Sequence, residues 1–291
     1  MESKIFPTPP LSSLDDEIER NVSVALLEDI GSGDLTAGLV PIDRTSLAHV
    51  VSRENAVVCG RAWFDRCFSK LDQDIAIRWR VGDGDRIVSG QVLCEIEGSA
   101  RALLTGERSA LNFLQLLSGV ASKVREFADA VSGTKALIVD TRKTIPGLRL
   151  AQKYAVKCGG GGNHRLGLYD GILVKENHIL AAGGIAAALS AAQSVAASAS
   201  GHCQFIEVEV ETLAELQQAL DAGAKMILLD NMSIEQMRAA VSINAGRAVL
   251  EASGNVTLET VRAIAETGVD RVSIGGLTKD VRALDLSMRF Q

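Results

Sequence analysis

From residue 136 onward the chain repeats one pattern. A short apolar run ends in polar or glycine residues, and a helix-like stretch often follows. The runs lie at 136–139 (ALIV), 171–174 (GILV), 205–210 (FIEVEV), 225–229 (KMILL), 248–250 (AVL) and 271–274 (RVSI). Each is too short for a helix core and fits a strand buried on both faces. Amphipathic stretches such as LAELQQALDAG and SIEQMRAAVSI separate several of them. Successive runs start 20 to 35 residues apart, which leaves room for a crossover helix, so the strands are predicted to be parallel. Six such units favour an αβ barrel without requiring eight.

Parallel strands bring all their C-terminal ends to one rim, where αβ barrels carry their chemistry. The residues at these ends are Asp140 to Lys143, Lys175 and Glu176, Glu209 and Glu211, Asp230 and Asn231, Glu251 with Ser253-Gly254-Asn255, and Gly275-Gly276. Six polar or glycine-rich ends predict a polar mouth of ligand size. The last two, SGN and GG, suit a phosphate held by bare backbone N–H groups. Glu209 and Asp230 suit sugar hydroxyls or a shared magnesium ion.

The first half reads differently. In SSLDDEIERNVSVALLEDIG, Leu14, Ile18, Val22, Leu26 and Ile30 recur every four residues. A helix with Ser13 and Asp16 as its capping pair is predicted, ending near Gly31-Ser32-Gly33. Leu47/His49/Val51 and Ile75/Ile77/Trp79/Val81 alternate as strands, and GDGD at 82–85 turns the chain. GDRIVSGQVLCEIEG has the rhythm of a small half-barrel like those of biotinyl and lipoyl carriers. The stretch 82–100 has no lysine to modify, so it is expected to be structural. ERSALNFLQLLSGVASKVREFADAVSG places Leu111, Leu114, Leu117 and Val124 on one helix side.

The net charge of −6 argues against non-specific nucleic-acid binding. Cysteines at 59, 67, 94, 158 and 203 have no CxxC spacing. They fit a reducing compartment with neither disulfide framework nor zinc site. MESKIFPTPP lacks the apolar core of a signal peptide. The uncharged stretch 181–201 is dominated by Ala, Ser and Gly and is expected to be a packed helix, not a membrane span. A cytoplasmic protein follows as the expectation.

Between Asp140 and His178 the balance reverses. Seven basic residues (142, 143, 149, 153, 157, 165, 175) face three acidic ones (140, 170, 176), a net of +4. The rest of the chain sums to −10. A basic island of this size suits a small polyanion. Arg149, Lys153 and Lys157 fall on a helical stretch and are expected to face solvent. Arg142, Lys143, Arg165 and Lys175 sit at strand ends or beside glycines, where a planar guanidinium can bind a carboxylate or phosphate with two parallel bonds. His164 stands next to them, after the costly run Gly159–Gly162.

The run TRKTIPGLRLAQKYAVKCGGGGNHRLGLYDGILVKENHI at 141–179 resembles the signature of quinolinate phosphoribosyltransferases. EDIGSGDLT, IEGSARALLTGERSALNFLQLLSG, IEVEVETL, ILLDNMS, EASGNV and ALDLSMR extend the resemblance over nearly the whole chain. It implies an N-terminal α/β sandwich (1–115, with 280–291 returning to it) and an incomplete αβ barrel (116–279). It implies transfer of phosphoribose from 5-phosphoribosyl 1-pyrophosphate to quinolinate, with decarboxylation and with magnesium. Carried onto this sequence, Thr141, Arg142, His164, Arg165 and Lys175 would surround quinolinate. Arg108 would enter the site from the partner in a homodimer, or in a higher oligomer. Lys143 and Lys175 would lie near the pyrophosphate, Glu209 and Asp230 at the ribose and metal. Ser253, Gly254, Asn255, Ile274, Gly275 and Gly276 would hold the 5′-phosphate. The family tolerates other residues at 162, so Gly159 to Gly161 are expected to carry the glycine requirement. Departures from the family pattern are Gly106 for Ala (TAER), and Gly276 and Lys279 where GALTH is usual.

Besides a carrier or structural protein built on the half-barrel, against which the missing lysine argues, two other functions fit parts of the sequence. One is a phosphoribosyltransferase for another nitrogen heterocycle, which would keep the phosphate loops. The other is a Schiff-base aldolase using Lys143 or Lys175.

Overall fold

The structure, a computed structural model, describes residues 11–199 and 201–291, with side chains from Leu14 onward. The segment read for a targeting signal and the Ser13 side chain lie outside the described residues. In chain order the elements are α1 (Leu11–Ile30), a 3₁₀ turn (Ala37–Leu39), β1 (Thr45–Ser52), β2 (Ala56–Val57), α2 (Arg61–Leu71), β3 (Ala76–Trp79), β4 (Arg86–Ile87), β5 (Val92–Ser99) and α3 (Ala100–Ala130). Then follow β6 (Leu137–Val139), α4 (Arg149–Cys158), β7 (Ile172–Val174), α5 (Glu176–Ala182), α6 (Ile185–Ser198), β8 (Ile206–Val210), α7 (Leu213–Asp221), β9 (Met226–Asp230) and α8 (Ile234–Asn244). The chain ends with β10 (Val249–Ser253), α9 (Leu258–Ala265), β11 (Arg271–Ser273), α10 (Gly276–Lys279) and β12 (Leu286–Phe290).

Packing divides the chain into two units. Among the described residues, one comprises 11–125, 144–160 and 277–291; the other comprises 126–143 and 161–276. The sequence reading assigned 116–125, 144–160 and 277–279 to the barrel, but they group with the first unit. α3 is one uninterrupted helix past residue 115, and α4 packs on α1.

The first unit is built on an antiparallel sheet of order β12-β1-β5-β3. β12 pairs with β1 from Ser52↔Leu286 to Ala48↔Phe290. The stretch read as a half-barrel divides between β4, which pairs with β2, and β5, which joins the large sheet. Helix α1 begins at Leu11, two residues before the expected cap, and buries Ile18, Val22 and Leu26 as its four-residue spacing predicts. α2 buries Trp63, Phe64 and Phe68, and Trp63 Nε1 donates to Asn21 of α1 at 3.1 Å. In β1 the period of two is as expected, but the fully buried side is Ala48, Val50 and Ser52; Leu47, His49 and Val51 are half-buried.

The second unit is a six-stranded sheet of order β6-β11-β10-β9-β8-β7, with every pair parallel. All six predicted runs are strands. From β7 to β11 the chain steps one strand at a time, and β6 pairs beyond β11. Helices cover the strands: α6 packs on β7 and β8, α7 on β8, and α9 on β11. The uncharged stretch forms α6, which buries Ile185, Ala188, Leu189 and Ala192. No single described helix is long and apolar enough to cross a membrane; α5 and α6 meet those terms only as a pair bent by 97°.

The glycine run joins the two units and is used on both sides. Gly162 extends the sheet: it bridges Val139 in parallel, its N–H donating to Ile138 O at 2.8 Å and its carbonyl accepting from Asp140 N at 3.2 Å. A Cβ at Gly159 would sit 2.5 Å from the Ala121 carbonyl oxygen and 2.6 Å from Val124 Cβ, both on α3. Gly160 has φ +90°, a conformation side chains resist. A Cβ at Gly162 would lie 2.7 Å from Leu137 Cδ2. That contact is with the tip of a side chain that can rotate, whereas the Gly159 contact is with backbone. Gly159→Ala should therefore lose about 1–3 kcal/mol or more to overpacking, and Gly162→Ala clearly less. Urea unfolding of the two variants checks the order; equal stabilities would refute it.

Candidate active site

The C-terminal rim of the parallel sheet gathers the predicted residues of the second unit. Lys175 caps α5, and its ammonium donates to Glu209 Oε2 at 2.6 Å. Glu209 is one-tenth exposed and Lys175 nearly half, so this ion pair lies at the boundary of solvent and interior. Asp230, on the neighbouring strand, accepts from Asn231 Nδ2 at 2.8 Å.

Arg142 and Arg165 are both half-buried. Burial first, and the positive charge of Arg142 second, hold Arg165 below the usual guanidinium range. A half-buried guanidinium beside a second cation is placed for an anion. Arg165 is braced by one bond, NH1 to Gly171 O at 3.1 Å. Thr141 Oγ1 accepts the Lys143 N–H at 3.0 Å, which turns the chain just past β6.

The loops after β9, β10 and β11 explain their glycines. Asn231, Gly254 and Asn255 all have positive φ. A Cβ on Gly254 would fall 2.1 Å from Asn231 Oδ1, so the two loops fit only without one. A Cβ on Gly275 would fall 2.8 Å from Lys143 Cδ, which leaves bare backbone beneath that lysine. Ile274 is buried and bonds by its N–H to Val139 O at 3.0 Å, so it offers the site backbone only. Gly276 opens α10, and Ser253 is half-buried at the end of β10.

His164 is not placed as expected. It is buried, and both ring nitrogens are engaged within the protein. Nδ1 accepts the Arg165 N–H at 2.7 Å, so Nε2 carries the proton and donates to Glu207 Oε2 at 2.7 Å. Glu251 Oε1 lies 3.7 Å from the same nitrogen, and Arg271 Nε lies 3.2 Å from Glu251 Oε2. Asp140, wholly buried, accepts the His164 N–H at 2.9 Å and Asn163 Nδ2 at 2.7 Å. Phe205 meets the imidazole edge-on. Burial pushes the Glu207 carboxyl up to about 7, with Arg271 opposing. It raises Glu251 as well, and the Glu207 charge adds to that.

Sequence reading missed Glu207 and Arg271 and gave Glu251 and Asp140 no role. A signal was available: Glu207 and Glu209 are two apart in a strand, so they share a face. Lys153 also departs from expectation. It is 1% exposed on α4, while Arg149 is half-buried and only Lys157 faces solvent. Arg108 lies exposed on α3, in the first unit.

Comparison with known proteins shows the family. Family profiles match the quinolinate phosphoribosyl transferase N-terminal domain at residues 34–118 and C-terminal domain at residues 120–289. The chain belongs to the quinolinate phosphoribosyltransferase family. It is 42% identical to a probable nicotinate-nucleotide pyrophosphorylase [carboxylating] of Bacillus subtilis (strain 168), over 94% of this chain and 93% of that one. The structure of the nicotinate-nucleotide pyrophosphorylase from Francisella tularensis superposes with a TM-score of 0.92, at 43% identity and full coverage of both chains. Human nicotinic acid phosphoribosyltransferase, 14% identical with a TM-score of 0.58, covering 93% of this chain and 73% of its own, shares the fold alone.

Within this member of the family, one departure from the family pattern has a packing reason. A Cβ at Gly106 would lie 2.8 Å from Phe68 Cε1 and 2.9 Å from Leu71 Cδ1. With Phe68 fully buried, α3 approaches α2 too closely here for alanine. Lys279 is exposed at the end of α10, and nothing in the structure explains its replacement of histidine.

Proposed function

We infer that this chain transfers phosphoribose from 5-phosphoribosyl 1-pyrophosphate to quinolinate with decarboxylation. The products are nicotinate mononucleotide, carbon dioxide and pyrophosphate, a step of NAD biosynthesis. Family membership over both halves supports the reading. The observation that carries the substrate choice is the Arg142–Arg165 pair, two mutually repelling cations suited to a ligand with two carboxylates.

Arg142 and Arg165 hold the two carboxylates and orient the pyridine nitrogen toward C1 of the ribose. Thr141 sets the turn that carries Arg142 and Lys143. Lys143 and Lys175 meet the departing pyrophosphate with charge already in place. Ser253, Gly254, Asn255, Gly275 and Gly276, with the Ile274 backbone, take the 5′-phosphate. Glu209 and Asp230 bind the ribose hydroxyls. After transfer the cationic ring nitrogen stabilises the carbanion left by decarboxylation. His164, with both nitrogens engaged, acts by fixing the Arg165 backbone.

Magnesium is the proposed cofactor, at Glu209 and Asp230. Two hard carboxylate ligands on adjacent strands fit an ion that keeps waters and substrate oxygens as its remaining ligands. When bound it would offset negative charge on the leaving group.

We further propose a homodimer, in which Arg108 of the partner completes each quinolinate site, and a cytoplasmic location, supported by five free cysteines. Mixing Arg108→Ala with Lys175→Ala subunits should restore activity that neither has alone; no recovery after subunit exchange would refute the shared site. Carbon dioxide release from quinolinate with phosphoribosyl pyrophosphate tests the reaction. Equal turnover of nicotinate would favour the broader heterocycle transferase instead.

A further inference from the structure

The fold brings together two cysteines that lie 99 residues apart in sequence. Cys59 ends the segment after β2, and Cys158 is the last residue of α4. Their sulfurs and a carboxylate oxygen of Asp83 lie within 4.8 Å of one another. Both thiols are free, and both belong to the first unit.

We propose that Cys59 and Cys158 are a reversible thiol–disulfide modification site, closed by a small-molecule disulfide, which slows the enzyme when oxidised.

The two sulfurs differ in the way such a pair requires. Cys59 is completely buried and Cys158 is partly exposed. Burial pushes the Cys59 thiol well up, while a hydrogen bond from Cys59 brings the Cys158 thiol down. Cys158 is therefore the attacking thiolate, and Cys59 the resolving group. Cys158 attacks a disulfide RS–SR, forming a mixed disulfide and releasing RS⁻. Cys59 then gives up its proton to the released RS⁻ and attacks the Cys158 sulfur. The Cys59–Cys158 bond forms, and the second RS⁻ leaves. Two protein thiols are oxidised and one small disulfide is reduced to two thiols.

The surroundings decide which partner moves. The Cys59 backbone is held on both sides by Ser118: Cys59 N donates to Ser118 Oγ at 2.9 Å, and that hydroxyl donates to Cys59 O at 3.1 Å. Asp83 accepts from Gly60 N and Arg61 N at the start of α2, at 3.2 and 3.3 Å. Tyr154 of α4 donates to Asp83 at 2.8 Å. A disulfide needs sulfurs about 2.05 Å apart, so closure draws the end of α4 toward this anchored side. Gly159 follows directly, with no room against Ala121. The displacement is passed along the glycine run, and Arg165 lies seven residues after Cys158.

The test treats the full-length protein with oxidised glutathione and maps its peptides by mass spectrometry. A linked Cys59–Cys158 peptide should appear, two hydrogens lighter than the reduced pair. Turnover should fall by about tenfold or more, as expected when a binding group is displaced by about 1 Å, and dithiothreitol should restore it. Cys158→Ser should lose both effects, and Cys203→Ser should keep them. Only a mixed disulfide at Cys158, or a linked peptide with unchanged turnover, would overturn the proposal. Peptide mapping of the wild-type chain needs no variant to fold. It also needs no activity, so it is decided separately from the assignment of the reaction.

Discussion

Arg271→Ala should destabilise the protein by about 3–5 kcal/mol, the cost of leaving buried carboxylates without their cation. Arg271 is 3% exposed, and Glu207 and Glu251 are fully buried. The guanidinium opposes the upward shift of both. Its removal leaves the two acids facing one another across His164. They can respond only by holding protons or by admitting water, and both outcomes cost stability. The double variant Arg271→Met/Glu251→Gln removes a charge of each sign and should recover at least half of the loss. Urea unfolding at neutral pH measures both. A loss below about 1 kcal/mol for Arg271→Ala, the scale of an exposed pair, would mean that the cluster does not behave as a buried network.

Arg165→Ala should raise the quinolinate KM by about two orders of magnitude and leave the phosphoribosyl pyrophosphate KM within a few-fold. A charge-assisted bond is worth about 1.5–3 kcal/mol, and a guanidinium can supply two to a carboxylate. Arg165→Lys should recover little, because an ammonium cannot reproduce the planar fork. The Arg165 backbone is set by His164 Nδ1, so truncation at Cβ leaves that bond in place. The effect then reads the guanidinium alone. Initial rates with each substrate varied against a saturating second one give the split. A variant impaired only toward phosphoribosyl pyrophosphate would contradict the assignment.

The sheet of the second unit was legible because parallel strands buried on both faces write themselves as apolar runs. All six were found, and their ends pointed to Arg142, Lys175, Glu209 and Asp230. Side-chain direction was less legible. Ala48 and Ser52 carry almost no hydropathy signal, so the half-buried Leu47, His49 and Val51 looked like the core side of β1. Lys153 looked solvated because lysine usually is. His164 looked like a ligand group because sequence displays neighbours along the chain, not across the sheet. The partners that occupy its ring, Glu207 and Glu251, lie 43 and 87 residues away. Cys59 and Cys158 were hidden for the same reason.

The antiparallel sheet also has a consequence for synthesis. β1 pairs on one side with β5, which leaves the ribosome soon after it, and on the other with β12, made long after every other strand of that sheet. Until β12 is made, the backbone of residues 48–52 is a bare edge, open to pairing with any other nascent chain. A stop codon in place of Leu286 would remove β12 entirely and make that transient edge permanent.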